Sequence, residues 1–481
     1  MMDPIVILLI GIAVILISII VLKLHPFISL LLSAIIVALL TPESNLIAYF
    51  ITKGLASEEA IKMSHKAVGE RIATEFGNTC TKIGILIAMA AIIGKSMLES
   101  GAAEKIIRSM LRVLGTRNAP FGFALSSFFL TIPVFVDTVI FLMMPLAKTM
   151  ALKLKKNYLL LALSVIAGAV MANSYVPPSP GPLFLASAMN VSVGLLMVCG
   201  ILLGLCTISV GFAIAVFLNK KFDIPLRDAP DASIKDITAL SNREDKELPP
   251  LVWAVLPALF PMVMICIRSY YEAFKTPGVP FSQHEWLNGL FDVILFTGDK
   301  NMALFIGAVI ALFTLLKYGK MDKTKLTAFV QNALMSGGGI ILITASGGAF
   351  GGMLQQTGIS QRIAGLSENF QLGLIPLAFL ITMIVRSAQG SATVALITAS
   401  GILAGMAQQS NLSFHPVYLC LAIGSGAKLI PWMNDAGFWI MCQTSNFTET
   451  EALKTITPMQ SIMGITGLVL TMLAAWLFPM I

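Results

Sequence analysis

Apolar runs of about twenty residues recur along the chain, each long enough to cross a bilayer as a helix. Spans are predicted near 4–22, 27–50, 81–98, 157–175, 191–218, 250–268, 302–317, 335–353, 415–430 and 459–479. The pattern is interrupted where a plain span would not be. One apolar stretch, 119–147, breaks at Thr131-Ile132-Pro133, and another, 372–408, breaks at Arg386-Ser387-Ala388-Gln389-Gly390. Both read as re-entrant hairpins. A third break is "VPPSPGP", residues 176–182, directly after a run of apolar residues. Backbone groups without partners are expensive in hydrocarbon, so irregular chain at membrane depth is expected only inside protein or beside a watery cavity.

The two halves also resemble each other. "GKSMLESGAAEKI" (94–106) matches "GGMLQQTGISQRI" (351–363), with Gly101 opposite Gly358, 257 positions on. The same interval carries Asp137 close to Ser391, and the proline run close to "IPWMNDAGF" (430–438). Basic clusters fix an orientation, because cytoplasmic loops are enriched in Lys and Arg. Lys23, then Lys105 to Arg117, Lys148 to Lys156, Lys220 and Lys221, and Lys317 to Lys325 all face the cytoplasm if the N-terminus lies outside. The spans 81–98 and 335–353 then run in opposite directions. The expected fold class is an all-α polytopic membrane protein with two inverted-topology repeats. It comprises about ten transmembrane helices and four re-entrant or broken hairpins. The expected domains are an N-terminal repeat 1–218, with breaks at 119–147 and 176–190, a cytoplasmic linker 219–250, and a C-terminal repeat 251–481, with breaks at 372–408 and 431–446. Paired broken segments in inverted repeats point to a secondary transporter with its site at the breaks.

Composition agrees with this picture. The chain has 481 residues, of which 57% are hydrophobic and 12% charged, against about 25% charged in a soluble domain. Asp3 before the first run, and no small-residue cleavage site after Lys23, make residues 4–22 a retained span. The net charge of +7 is explained by the clusters flanking spans, so no nucleic-acid partner is invoked. Cys80, Cys199, Cys206, Cys266, Cys420 and Cys442 are scattered without paired spacing and read as small buried hydrophobes. The segment 53–75, with both charge signs at helical spacing, is expected to be an interfacial helix on the outer side. The four histidines are dispersed, and neither a metal cluster, nor a nucleophile with its base, nor a Walker motif occurs. Enzyme activity, a cofactor, a metal and ATP are accordingly not expected.

The intramembrane ionisable residues concentrate at the breaks: Asp137, Arg386, Lys428 and Asp435. A charge at the bilayer centre costs roughly 2.5–3.5 kcal/mol even on the lenient insertion scale, so each is a functional candidate. The competing reading is a buried structural ion pair between either Asp and either cation. "GSATVA" (390–395) supplies hydroxyls where a helix restarts, whereas "SGGG" and "ASGGAFGG" (336–352) are read as helix-packing surfaces.

Together, "FGNTCTKIG" (76–84), "GKSMLESGAAEKI" (94–106), "PVFVDTVIF" (133–141), "VPPSPGP" (176–182), "RSAQGSATVA" (386–395) and "KLIPWMNDAGF" (428–438) resemble the gluconate permease (GntP) family of the ion transporter superfamily, over almost the whole chain. The resemblance implies a multi-pass carrier of the bacterial inner membrane. It would import gluconate or a related sugar acid with protons by alternating access, and a homo-oligomer is compatible with it. Many gluconate-type members carry a histidine four residues before the proline pair and a histidine or threonine after it; Asn173 and Ser179 stand there in this chain. The expected ligand is a small organic anion. Arg386 or Lys428, aided by helix-end N–H groups, would hold its carboxylate. Asn173, Ser179, Ser391, Thr393 and Asn434 would bind its hydroxyls, and Asp137 and Asp435 would take up protons. The alternative is a sodium-coupled carrier of short carboxylates or hydroxy acids on the same fold. Membrane lipid is the expected surrounding partner.

Overall fold

The computed structural model describes residues 3–114, 118–154, 157–222, 224–227, 247–274, 285–319, 321–359, 373–407, 412–433 and 435–480. Most of the 219–250 linker, the 360–372 stretch and Asn434 lie outside the described residues.

The described residues are almost entirely helical. The first half contains α1 (Pro4–Ile20), α2 (Pro26–Leu40), α3 (Glu43–Thr52), α4 (Ser57–Ser64), α5 (Val68–Glu99), α6 (Ala102–Leu114), α7 (Ala119–Thr131), α8 (Val136–Leu154), α9 (Tyr158–Tyr175), α10 (Pro180–Ala188) and α11 (Val193–Lys221). The second half contains α12 (Leu251–Phe274), α13 (Glu285–Thr297), α14 (Lys300–Tyr318), α15 (Lys323–Gln356), α16 (Leu374–Gln389), α17 (Ala392–Ala407), α18 (Val417–Gly426), α19 (Ala436–Ser445) and α20 (Glu449–Leu477).

Among the described residues, seven helical stretches are long and apolar enough to cross a membrane, with α9 and α10 taken together as one, or eight if the bent pair α2 and α3 is one span. Two of the predicted spans are not straight crossings in the structure, and the local causes are visible. The predicted span 27–50 turns by 102° at Thr41-Pro42, because proline lacks the N–H that would continue the helix and restricts the residue before it. The predicted span 415–430 keeps only the ten residues of α18 before its own break. The segment 53–75 is likewise not one interfacial helix. It divides into α4 and the first turns of α5, which runs on for 32 residues, about 48 Å at 1.5 Å per residue.

α9 is the centre of the bundle. It is buried on nearly every face, as an apolar-all-round helix must be, and it packs on α7, α8 and α11. The long helices α5 and α15 pack against each other, and α15 also packs on α17. Small residues make the approach of α15 to α17 close: a Cβ on Gly351 would stand 2.8 Å from the Cα of Gly401. α5 ends at Glu99 and α15 at Gln356, each followed two residues later by a glycine at φ 78°, Gly101 and Gly358. Only glycine takes that left-handed turn without steric cost.

Four breaks sit inside this frame, between α7 and α8, α9 and α10, α16 and α17, and α18 and α19. The C-terminal ends of α9 and α18 are stitched directly, since the Tyr175 hydroxyl lies 2.8 Å from Ser425 Oγ.

Candidate functional site

Three helices begin at one cavity. The first turn of α8 brings Val136 and Asp137, the turn before α17 brings Gly390 to Thr393, and the start of α19 brings Asp435 and Gly437. α9 adds Asn173, α16 adds Arg386, the end of α18 adds Lys428, and α20 adds Gln460. The cavity measures about 270 Å³, near the lower end of small-molecule sites at roughly 300–1,000 Å³. Larger recesses of about 490 and 710 Å³ exist, but their walls are almost wholly apolar. Free N–H groups at a helix start carry about half a positive charge, so three starts around one space favour an anion there.

Arg386 is placed by the end of its helix. α16 stops at Gly390, whose φ of 79° is left-handed, and the Gly390 N–H donates to the Arg386 carbonyl at 2.9 Å. The guanidinium is 3% exposed. Its Nε donates to the Ala427 carbonyl at 3.1 Å and its Nη2 to Asp435 Oδ2. Its Nη1 is buried without a hydrogen-bond partner among the described residues.

Asp435, 6% exposed, serves two elements at once. Oδ2 accepts from Arg386, while Oδ1 accepts from the Gly437 N–H at 2.8 Å and caps α19. An Asp at this position satisfies one orphan N–H and complements the helix dipole. The ion pair anticipated as the structural alternative is therefore present, and it leaves one guanidinium nitrogen without a hydrogen-bond partner among the described residues.

Lys428 is 3% exposed, and among the described residues its ammonium makes no hydrogen bond or ion pair. Its backbone is seated against α20, where a Cβ on Gly464 would lie 3.4 Å from Lys428 Cβ. Across the cavity Asp137 is exposed to it and likewise lacks a hydrogen-bond or ion-pair partner among the described residues. The four ionisable side chains lining the cavity are thus two cations and two acids, with one of each paired together.

The hydroxyl and amide candidates separate. Asn173, Ser391 and Thr393 line the cavity, half-buried; Ser391 Oγ also accepts from the Val394 N–H at 3.3 Å at the start of α17. Asn434 lies outside the described residues. Ser179 is buried in the proline break and is not among the cavity-lining residues. The reason is packing: α10 starts at Pro180 against α17, so close that a Cβ on Gly181 would stand 2.4 Å from Leu396 Cδ1. Sequence reasoning missed Gln460. It is 2% exposed and donates to Met441 Sδ at 3.5 Å. The available signal was an amide two residues after Pro458, in the middle of an otherwise apolar span.

The model of the GntP family of permeases matches residues 3–477. An uncharacterized permease of Haemophilus influenzae is 29% identical over 91% of this chain and 85% of its own length. A gluconate permease of Pseudomonas aeruginosa is 28% identical over 94% of this chain and 93% of its own. Among solved structures, the Alcanivorax borkumensis YdaH transporter has a similar fold, with a TM-score of 0.57 at 11% identity, covering 86% of this chain and 90% of that one.

Proposed function

Because the chain belongs to the GntP permease family, we propose that it is a secondary active transporter. It imports gluconate or a related sugar acid across the cytoplasmic membrane with protons, by alternating access. The observation that carries this reading is the polar cavity itself: an ammonium and a guanidinium N–H that have no hydrogen-bond partner among the described residues, and three helix starts around about 270 Å³. The relatives named as gluconate permeases favour a polyhydroxylated acid over a plain short carboxylate.

In this reading Lys428 and Arg386 Nη1 hold the carboxylate, and Asn173, Ser391, Thr393 and Gln460 hydrogen-bond the hydroxyls. Asp435 is committed to Arg386 and to capping α19, so its part is to hold the guanidinium in place. Proton uptake falls to Asp137, which lines the cavity and has no hydrogen-bond or ion-pair partner among the described residues. The charge count supports this division. With all four groups ionised the empty cavity is neutral, and a monoanion adds one negative charge. Protonation of Asp137 restores neutrality. Carrying the acid alone into a negative interior would cost about 2.3 kcal/mol per 100 mV, which one co-transported proton cancels.

Two repeats of opposite topology would supply the moving parts. The support is the recurrence of boundaries: α5 and α15 end 257 residues apart, α8 and α17 begin 256 apart, and α11 and α20 both begin and end 256 apart.

The test is uptake of labelled gluconate into sodium-free proteoliposomes, with and without an inward proton gradient. Accumulation is expected only with the gradient. Asp137→Asn is expected to abolish accumulation while retaining exchange of internal for external gluconate. Uptake that ignores the gradient and requires sodium, or an Asp137→Asn variant that still accumulates, would overturn the assignment.

A further inference from the structure

A second site lies on the outer wall of the bundle, away from the polar cavity. α11 and α20 pack against each other along their length, and between them runs a trough of about 710 Å³ walled by Val210, Ile214, Phe217, Pro458 and Ile462. One end of it is different. Lys221, on the last turn of α11, and Lys454, near the start of α20, stand there together.

Both ammoniums are exposed, and among the described residues neither is paired with a carboxylate. The acid best placed to neutralise Lys454 is Glu451, three residues before it and so on the same face of the helix. It is already taken. Arg227 clamps it with two hydrogen bonds of 2.6 and 2.7 Å. Lys220 adds a third positive charge on the same turn as Lys221. The Lys221 ammonium rests 5.6 Å from the Phe222 ring, which holds it beside the trough.

We infer that this trough binds an anionic phospholipid, with an acyl chain along the apolar wall and the phosphate between Lys221 and Lys454. The dimensions suit that ligand. From Ser209 to Lys221 the wall rises about 18 Å at 1.5 Å per residue, close to one leaflet of a hydrocarbon core about 30 Å thick. Basic pockets between membrane helices are the recognised chemistry for anionic headgroups. A soluble phosphate compound would meet the two lysines but leave the apolar wall unused, and a zwitterionic lipid would fill the wall but bring its own ammonium to the lysines.

The experiment is thermal unfolding of the purified protein in detergent, with phosphatidylglycerol, phosphatidylcholine or glycerol 3-phosphate added, since a ligand that binds the folded state raises the melting temperature. Phosphatidylglycerol is expected to stabilise more than phosphatidylcholine, and glycerol 3-phosphate not at all. In Lys221→Gln/Lys454→Gln the excess over phosphatidylcholine is expected to fall by at least half, while Lys221→Arg/Lys454→Arg keeps it. Ile462→Trp, which fills the trough, is expected to reduce the effect of both lipids. Equal stabilisation by the two lipids, an unchanged excess in the glutamine variant, or reproduction of the effect by glycerol 3-phosphate would each overturn the inference. None of these residues lines the polar cavity, so gluconate uptake by the lysine variants in phosphatidylcholine vesicles is expected to match the unaltered protein.

Discussion

The breaks after α9 and after α18 lie side by side and are filled with opposite chemistry. After α9 the chain reads Val176-Pro177-Pro178-Ser179, every residue is buried, and the restart at Pro180 is wedged against Leu396. After α18 the break carries Lys428 and ends on Asp435, which reaches across to Arg386. Both interrupt a helix of the bundle, and the Tyr175 to Ser425 contact ties the two together. Only the second opens on the cavity. A break in a membrane helix needs its backbone groups satisfied, and close protein packing does that as well as a ligand would. Irregular backbone therefore marks either a hinge of packed protein or a binding site, and the charged side chains distinguish the two.

The sharpest way to break this comparison is to remove the charge from the charged side. Arg386→Gln strands Asp435 in the interior, a loss expected at about 3–5 kcal/mol of stability, together with a fall in gluconate kcat/KM of about two orders of magnitude for a lost charge-assisted hydrogen bond. The double variant Arg386→Gln/Asp435→Asn is expected to recover most of the melting temperature but none of the uptake. If the double variant transported normally, the pair would be structural and nothing more. A smaller effect is expected at Asn173, which lines the cavity from the neutral helix. Asn173→Ala removes one hydrogen bond worth about 1 kcal/mol, so KM should rise about five-fold with kcat unchanged. The smallest is expected at Ser179, inside the proline break. Ser179→Ala should change KM and kcat by less than about two-fold, because Ser179 is not among the cavity-lining residues and a hydroxyl without a hydrogen-bond partner among the described residues contributes little. A loss of uptake there equal to that of Asn173→Ala would erase the distinction between the two breaks.

Much of the candidate site was legible because charges in an apolar span are rare enough to notice singly. Asp137, Arg386, Lys428 and Asp435 each stand out against their neighbours, and all four line the same cavity. Asn173 and Ser179 look equivalent in sequence, six residues apart around one proline pair, and the structure separates them. Asn173 is still on α9 and faces the cavity; Ser179 is past the turn, where the chain has moved toward α17. Gln460 escaped notice because an amide carries no charge and lies in an otherwise apolar span. Two predicted spans differ in shape from the structure for a related reason. Hydropathy registers apolar length but not direction, so a 102° turn at Pro42 and a ten-residue half-helix at α18 both pass for crossings.

The sequence by itself determined the solvent and the punctuation. Long apolar runs with 12% charge leave no soluble fold open, and proline, glycine and the residues beside them stop helices by local sterics that need no partner. It also determined which residues were too costly to be incidental. The tertiary structure alone decided which breaks meet around open space and which are packed shut, and that Asp435 is held by Arg386 while, among the described residues, Asp137 and Lys428 make no ion pair. Those outcomes depend on residues tens to hundreds of positions apart approaching within a few ångströms. Local chemistry cannot specify that geometry, because it is fixed by how whole helices pack.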